Sequence, residues 1–460
     1  MAHLRNSRTT VSKTEPINGR LEDCTLTQIR GLIRDRLVSV REAVETSLRV
    51  LEERNGSLHA VISVVESALN RADALDQWTE RERPLFGIPF TVKDIMTVKG
   101  IRCTCGSAAR VQSPLSQRTA DAVAAAEAAG AVLIATANLH EWAGGPNSKN
   151  VTFGNVVNPV DESLTPGGSS GGSGAAVSSG IGYFSLGTDT GGSSRIPAAC
   201  QGIAAWKPTP GLISTNGVYP VSPTLDTVGP MTRKAADLAW IMDAYIGPAP
   251  VQPTGPLRLG IEESYFFDLA HTSPSMADPV RDLLSRAEAY GAEIIPVKIP
   301  ALRWAMAAEK VIMLGEWSQT HSRSRRADRP LYGDDIQQFL RIGDAVTAEF
   351  YLDAMKVRRL VTEQLVKTLS SLDALVSPTF PCSVPGRDQT EIEWSPGVSE
   401  SVMDATWRFT LPANVAGLPA VVFSPDAPTV DRSVPASVQL LGAPGRDRRL
   451  QFVAAYLAAL

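Results

Sequence analysis

Two stretches of this 460-residue chain combine serine with paired glycines: Thr165-Pro166-Gly167-Gly168-Ser169-Ser170-Gly171-Gly172-Ser173 and Gly187-Thr188-Asp189-Thr190-Gly191-Gly192-Ser193-Ser194-Arg195. Glycine adopts backbone angles that other residues avoid and lets amides approach a ligand closely, so such turns can aim successive N–H groups at one point. An oxyanion hole for acyl transfer needs that donor geometry, and a neighbouring serine supplies a nucleophile.

Four readings compete. A flexible Gly/Ser linker would lack the apolar pieces Ala175-Ala176-Val177 and Tyr183-Phe184 that join the two turns. A phosphate loop would need Gly-Lys-Ser/Thr, which follows neither turn. Gly168-Ser169-Ser170-Gly171-Gly172 fits the nucleophile-elbow pattern with Ser170 attacking, but the histidine of such a triad must follow, and only His271 and His321 do, both far from the C-terminus. The fourth reading is a serine hydrolase whose base is a lysine kept neutral by burial. Lys93 ends the apolar run Ile88-Pro89-Phe90-Thr91-Val92 and suits that role; residue types alone do not say which serine it would serve.

The elements that must position these residues follow from periodicity. Helical spacing (Ile29, Leu32, Ile33, then Val40, Val44, Leu48, Leu51) predicts a helical layer over 25–75, broken at Asn55-Gly56. A strand over 88–92, a helix over 119–129 and a strand over 131–135 predict an α/β sheet. A second strand-helix-strand passage covers 257–261, 279–290 and 293–297. Helical periodicity returns over 335–369, and 374–376 and 420–423 read as buried strands. No fixed-period repeat is visible.

Composition narrows the class. With 43% hydrophobic and 20% charged residues the chain has the balance of a soluble globular protein, and a net charge of −4 gives no reason to expect nucleic acid. The densest basic cluster, Arg323, Arg325 and Arg326, reads as a solvated turn. The polar start has no secretory h-region, and no stretch reaches the ~18 apolar residues of a membrane span, which predicts a cytoplasmic protein with a frayed N-terminus over 1–20. Cys24, Cys103, Cys105, Cys200 and Cys382 have no zinc-site spacing and read as free thiols; the five histidines form no metal motif.

Gly87-Ile-Pro-Phe-Thr-Val-Lys93-Asp, Gly-Gly-Ser169-Ser-Gly-Gly-Ser and Gly-Thr-Asp-Thr-Gly-Gly-Ser193-Ser-Arg together resemble, in order and spacing, the three catalytic blocks of the amidase signature family. Further similarity runs through residues 55–61, 100–107, 225–233, 409–419 and 438–442. The resemblance implies an α/β amidase signature fold, a mixed sheet covered by helices on both faces. It implies one domain over 21–460, with a helical layer over 21–80, a catalytic core over 84–235 and pocket walls built from 250–460. Carried over by position, it makes Ser193 the nucleophile, Ser169 the relay after a cis Gly-Ser peptide, and Lys93 the base. The amides of Thr190, Gly191, Gly192 and Ser193 match the oxyanion hole, Ser170 and Ser173 are hydrogen-bonding supports, and Asp189 and Arg195 hold the loop. Asp226 and Arg233 are read as fold-holding, and Trp142, Tyr219, Met313, Trp317 and Trp407 as pocket walls.

The implied activity is hydrolysis of an amide or carbamate (urethane) C–N bond through an acyl-enzyme. The alternative is the A subunit of a tRNA-dependent amidotransferase, and an esterase attacking through Ser170 comes third. Expected partners are a small amide or carbamate with no nucleic acid and no membrane, in a monomer or homodimer with no cofactor and no metal.

Overall fold

A computed structural model of the chain describes residues 19–248, 255–322, 328–425 and 436–460. The expected frayed start, apart from residues 19 and 20, and the cluster Arg323, Arg325 and Arg326 lie outside the described residues.

The N-terminal helices begin where sequence chemistry allows. Helix α1 (Leu26–Arg34) starts on Thr25, whose side chain accepts the Gln28 amide while Gln28 returns a bond to the Thr25 amide; Ser39 and Glu42 do the same for α2 (Val40–Leu58). Each such reciprocal cap satisfies two amides that the helix leaves free. The break expected at Asn55-Gly56 is absent. Helix α2 runs through both residues and stops at His59, which is left-handed (φ 49°). Asn55 explains the difference: its side chain accepts the Val61 amide at 2.8 Å and donates to the Val61 carbonyl at 3.1 Å, clamping the helix end to a strand.

That strand, β1 (Val61–Val64), was hidden inside the expected helical layer. It forms one edge of an eleven-stranded sheet together with β2 (Pro89–Lys93), β3 (Val132–Ala137), β4 (Phe184–Asp189), β5 (Ala204–Lys207), β6 (Thr227–Thr232), β7 (Arg258–Ile261), β8 (Glu293–Pro296), β9 (Ala374–Pro378), β12 (Ala420–Phe423) and β13 (Val438–Leu441). The order is β1-β3-β2-β4-β6-β5-β12-β13-β9-β7-β8, and β10 (Glu391–Ser395) with β11 (Val398–Ser401) makes a separate hairpin. The sheet is mixed: β3, β2 and β4 run parallel, as do β9, β7 and β8, while the strands between alternate in direction. Strands β2 to β6, β9, β12 and β13 are buried throughout and β8, at the other edge, is largely solvated. Strands covered on both faces need continuous apolar runs, which is how 131–135 and 420–423 read in the sequence.

The register between β2 and β4 positions the chemistry. Phe90 pairs with Phe184 and Val92 with Leu186, and the two phenyl rings stack with centroids 4.7 Å apart. An aromatic pair of this kind adds about 0.5–1.5 kcal/mol beyond its burial. A slip of one residue would turn the side chains to the opposite face. Two short helices follow the glycine turns, α3 (Gly171–Ser178) and α4 (Arg195–Cys200). Three more helices come later in the chain, α5 (Ala305–Thr320), α6 (Asp334–Asp344) and α7 (Ala348–Leu369); the helical periodicity expected over 335–369 is present and divides between the last two, parted where Thr347 caps the second. Among the described residues no helix is long and apolar enough to cross a membrane.

Candidate active site

Lys93, the last residue of β2, has no exposed surface. Its Nζ lies 2.8 Å from Ser169 Oγ and 2.8 Å from Thr188 Oγ1 on neighbouring β4. Burial pulls its pKa down from 10.5 to about 7, against the opposing pull of Asp189, Asp226 and Cys105. A lysine in this state is neutral in a large fraction of molecules near neutrality and accepts a proton.

The two glycine turns are stitched together. Ser170 donates its amide to the Ser193 carbonyl at 3.1 Å, and its Oγ bridges the backbone of Thr188, donating to the carbonyl at 3.2 Å and accepting from the amide at 3.3 Å. Ser170 is thereby committed to holding β4 against α3, which leaves the elbow reading without its nucleophile. Ser169 follows a cis peptide bond from Gly168 and turns its side chain toward Lys93. Its carbonyl accepts from the His140 amide at 3.0 Å and from Ser148 Oγ at 3.3 Å. Ser173, expected to be a second support, makes no side-chain hydrogen bond among the described residues.

The second turn is built on Asp189 and Arg195, an ion pair with no exposed surface on either side. Arg195 Nη2 and Nε donate to the two carboxylate oxygens at 2.9 and 3.0 Å. The same carboxylate accepts the Gly192 amide at 3.0 Å and Ser194 Oγ at 2.9 Å. Burial alone would raise the Asp189 pKa; the Arg195 charge and its hydrogen bonds overcome that and hold it well below the usual carboxylate range. Gly192 sits at φ +117°, and a Cβ there would come 2.5 Å from Thr410 Oγ1, so the turn accepts only glycine. Among the described residues the amides of Thr190, Gly191 and Ser193 donate to no protein acceptor, whereas that of Gly192 is held by Asp189.

Asp226 and Arg233 hold the fold. Asp226 accepts Thr190 Oγ1 at 2.6 Å and the Val221 amide at 2.9 Å, with its pKa raised by burial to about 6. Arg233 ties the N-terminal segment down through the carbonyls of Glu22 and Cys24.

A small cavity, partly open to solvent, is lined by Thr190, Gly191 and Ser193 together with Met313, Trp317 and Trp407. Trp142 and Tyr219, also expected as walls, instead pack on each other (centroids 4.9 Å) and around His321, behind the wall residue Ala143. All five cysteines are free and buried.

Sequence reasoning missed several members of the site. Asn414 donates to Asp189 at 2.9 Å and Gln439 accepts from Arg195 at 2.7 Å; both lie in the blocks 409–419 and 438–442, the one signal that could have found them. Lys207, fully buried, donates to the Pro208 carbonyl at 3.0 Å, and burial takes its pKa to about 7. Glu309 on α5 is also fully buried, with neither carboxyl oxygen hydrogen-bonded among the described residues; burial raises its pKa well above the usual range. No motif marks either residue.

A family model described as Amidase matches residues 42–450. The A subunit of glutamyl-tRNA(Gln) amidotransferase from Chromohalobacter salexigens is 33% identical over 445 residues, which cover 87% of this chain and 90% of that protein. A crystal structure of an amidase superposes with a TM-score of 0.85 at 30% identity, covering 95% of this chain and 99% of the other. The A subunit of the Thermotoga maritima glutamyl-tRNA(Gln) amidotransferase superposes with a TM-score of 0.76 at 27% identity, covering 95% of this chain and 94% of the other. These relatives correct one expectation. A partner set limited to a small molecule, without nucleic acid and in a monomer or homodimer, does not stand when proteins similar over nearly the whole chain are subunits of an enzyme named for a tRNA. Net charge misled here because it describes the chain alone and says nothing of what a companion protein binds.

Proposed function

The chain belongs to the amidase family, and from that premise we propose that it breaks an amide C–N bond by acyl transfer through Ser193, Ser169 and Lys93. The observation that carries this reading is the buried Lys93 Nζ, poised near neutrality 2.8 Å from Ser169 Oγ. Neutral Lys93 takes the Ser169 proton while Ser169 takes that of Ser193, whose oxygen attacks the carbonyl carbon. The tetrahedral oxyanion is held by the amides of Thr190, Gly191 and Ser193; the Gly192 amide serves by fixing the turn through Asp189. Collapse breaks the C–N bond as the relay returns a proton to the departing nitrogen. Water then attacks the acyl-Ser193 ester by the same relay and frees the acid. One oxyanion donor is worth about 3 kcal/mol in such a step.

For the setting of this chemistry, the relatives favour the A subunit of a glutamyl-tRNA amidotransferase, in which this centre would serve amide transfer within an assembly. A second reading, hydrolysis of an amide or carbamate with an apolar substituent, is favoured by the Met313, Trp317 and Trp407 wall. A cytoplasmic location belongs to the same proposal, supported by five thiols that remain unpaired.

The test is the purified chain given a neutral carboxamide, an anilide and a carbamate, with Ser193→Ala as control. Amine release by the chain alone supports the hydrolase; strict dependence on companion subunits and ATP supports the amidotransferase. Undiminished turnover by Ser193→Ala, with contaminants removed, would falsify the acyl-transfer centre itself.

A further inference from the structure

Gly191 leaves its amide free of protein acceptors among the described residues, yet its surroundings fix it from several sides. Its carbonyl accepts Thr410 Oγ1 at 2.7 Å, and the next amide, that of Gly192, is held by Asp189. Where another residue would carry a side chain, Glu309 Oε1 and Leu411 Cδ2 close in: a Cβ there would lie 2.9 Å from each. Leu411 is an ordinary apolar neighbour. Glu309 is not, because a carboxyl group with no exposed surface and no hydrogen bond among the described residues costs stability. Helix α5 brings it there. Met313, which lines the cavity, lies one turn further along, so one face of the helix meets both the turn and the cavity.

The charged groups that act on Glu309 are Arg195, Asp189, Lys207 and Arg358, and all are engaged elsewhere. Arg195 uses all five of its N–H groups on Asp189, Thr410, Gln439 and Asn414. Lys207 donates to the Pro208 carbonyl, and Arg358 to the carbonyls of Val415 and Thr224. None is hydrogen-bonded to Glu309. An ionised Glu309 would thus be a buried charge without a bonded partner. It would also stand against the residue whose amide receives the oxyanion, and like charges repel strongly in a water-poor site.

We propose that Glu309 is a positioning residue of the oxyanion turn, acting as an uncharged acid: its carboxyl end, carried on α5, packs against Gly191 and keeps the free amides of the turn in place beside Ser193 without bringing a negative charge to them. This rests on the reading of Ser193 as nucleophile and adds a residue to that same centre. Two properties are needed at once. The side chain must be long enough to reach Gly191, and it must carry no charge. Glutamine has both, aspartate is one methylene too short, and alanine leaves the space empty. Stability given up to a buried carboxyl is a recurrent cost of a site shaped for activity.

The experiment follows phosphonylation of Ser193 by a small fluorophosphonate, which calls on the nucleophile, the relay and the oxyanion donors but needs neither an amine leaving group nor a companion subunit. The limiting rate and the half-saturating concentration are measured for the wild type, Glu309→Gln, Glu309→Asp and Glu309→Ala at one pH. Mass spectrometry identifies the labelled residue, and thermal melts check the fold. In Glu309→Ala and Glu309→Asp the limiting rate falls about tenfold, less than the loss of a whole donor, while half-saturation moves by less than about twofold. Glu309→Gln stays within about threefold of the wild type. A limiting rate in Glu309→Asp within about twofold of the wild type overturns the positioning role. A loss in Glu309→Gln as deep as that in Glu309→Asp overturns the uncharged acid, and the proposal with it. Either result leaves Ser193 as the labelled nucleophile. A wild-type chain labelled elsewhere, or not at all, overturns the Ser193 reading itself. Should Glu309→Ala fail to fold, Glu309→Asp and Glu309→Gln, which keep a polar group at the site, decide.

Discussion

Lys93 Nζ and Ser169 Oγ lie 2.8 Å apart with no exposed surface on either side chain. The lysine is a base only when unprotonated, and its pKa is about 7, so the competent fraction grows as pH rises through that value. The kcat/KM for an uncharged amide therefore climbs from about pH 6 to about pH 8 and levels above it. Lys93→Met lowers kcat by about a thousandfold, within the usual worth of a general base. A rising limb that survives in Lys93→Met would assign it to another group.

The Asp189–Arg195 pair supports stability and turn geometry together. Arg195→Met strands a buried carboxylate, and losing one partner of such a pair costs about 3–5 kcal/mol. Urea unfolding shows this as a lower midpoint with little change in slope. A loss below about 1 kcal/mol would mean that Asn414 and the turn amides suffice for Asp189.

Lys207 offers a prediction of opposite sign. Its folded pKa, about 7, lies below its ordinary 10.5, so between those values the unfolded chain holds a proton that the folded chain does not. Unfolding free energy thus rises with pH across that window, by about 1.4 kcal/mol per unit for each such group. Lys207→Met removes one proton's worth of this slope and stabilises the protein more at about pH 7 than at about pH 10. Thermal melts at the two pH values check it; an equal gain at both would place the Lys207 pKa outside the window.

Gly191 is open to a subtle test. A Cβ there would come 2.9 Å from both Glu309 Oε1 and Leu411 Cδ2. Gly191→Ala must shift the turn, and displacing one oxyanion donor lowers kcat about a hundredfold or more. KM and the circular dichroism spectrum should change little. A kcat within about twofold of wild type would remove the Gly191 amide from the donor set.

Local signals carried the sequence reading where one residue type meets one need. The glycine pairs marked the turns around Ser169 and Ser193, and the apolar runs marked β2, β3 and β12. Strand β1 escaped because Val61-Ile62-Ser63-Val64 follows close on α2 and continues its helical spacing of apolar residues. Strand β6 escaped because Gly229-Pro230 breaks any simple alternation, although the strand pairs with β4 along its whole length. Glu309 and Lys207 were invisible for another reason. Nothing local separates a buried carboxyl or ammonium group from a solvated one, and only tertiary packing withdraws the water.

The chemistry and the cavity wall come from different lengths of chain. Lys93 ends β2, Ser169 precedes α3 and Ser193 lies in the turn after β4, while Met313 and Trp317 arrive more than a hundred residues later on α5, a helix outside the sheet. The proposed proton relay and this part of the cavity wall thus rest on separate elements. Because Glu309 on the same helix lies against Gly191, a library that varies Met313 and Trp317 while keeping Glu309 is where new specificities should be sought.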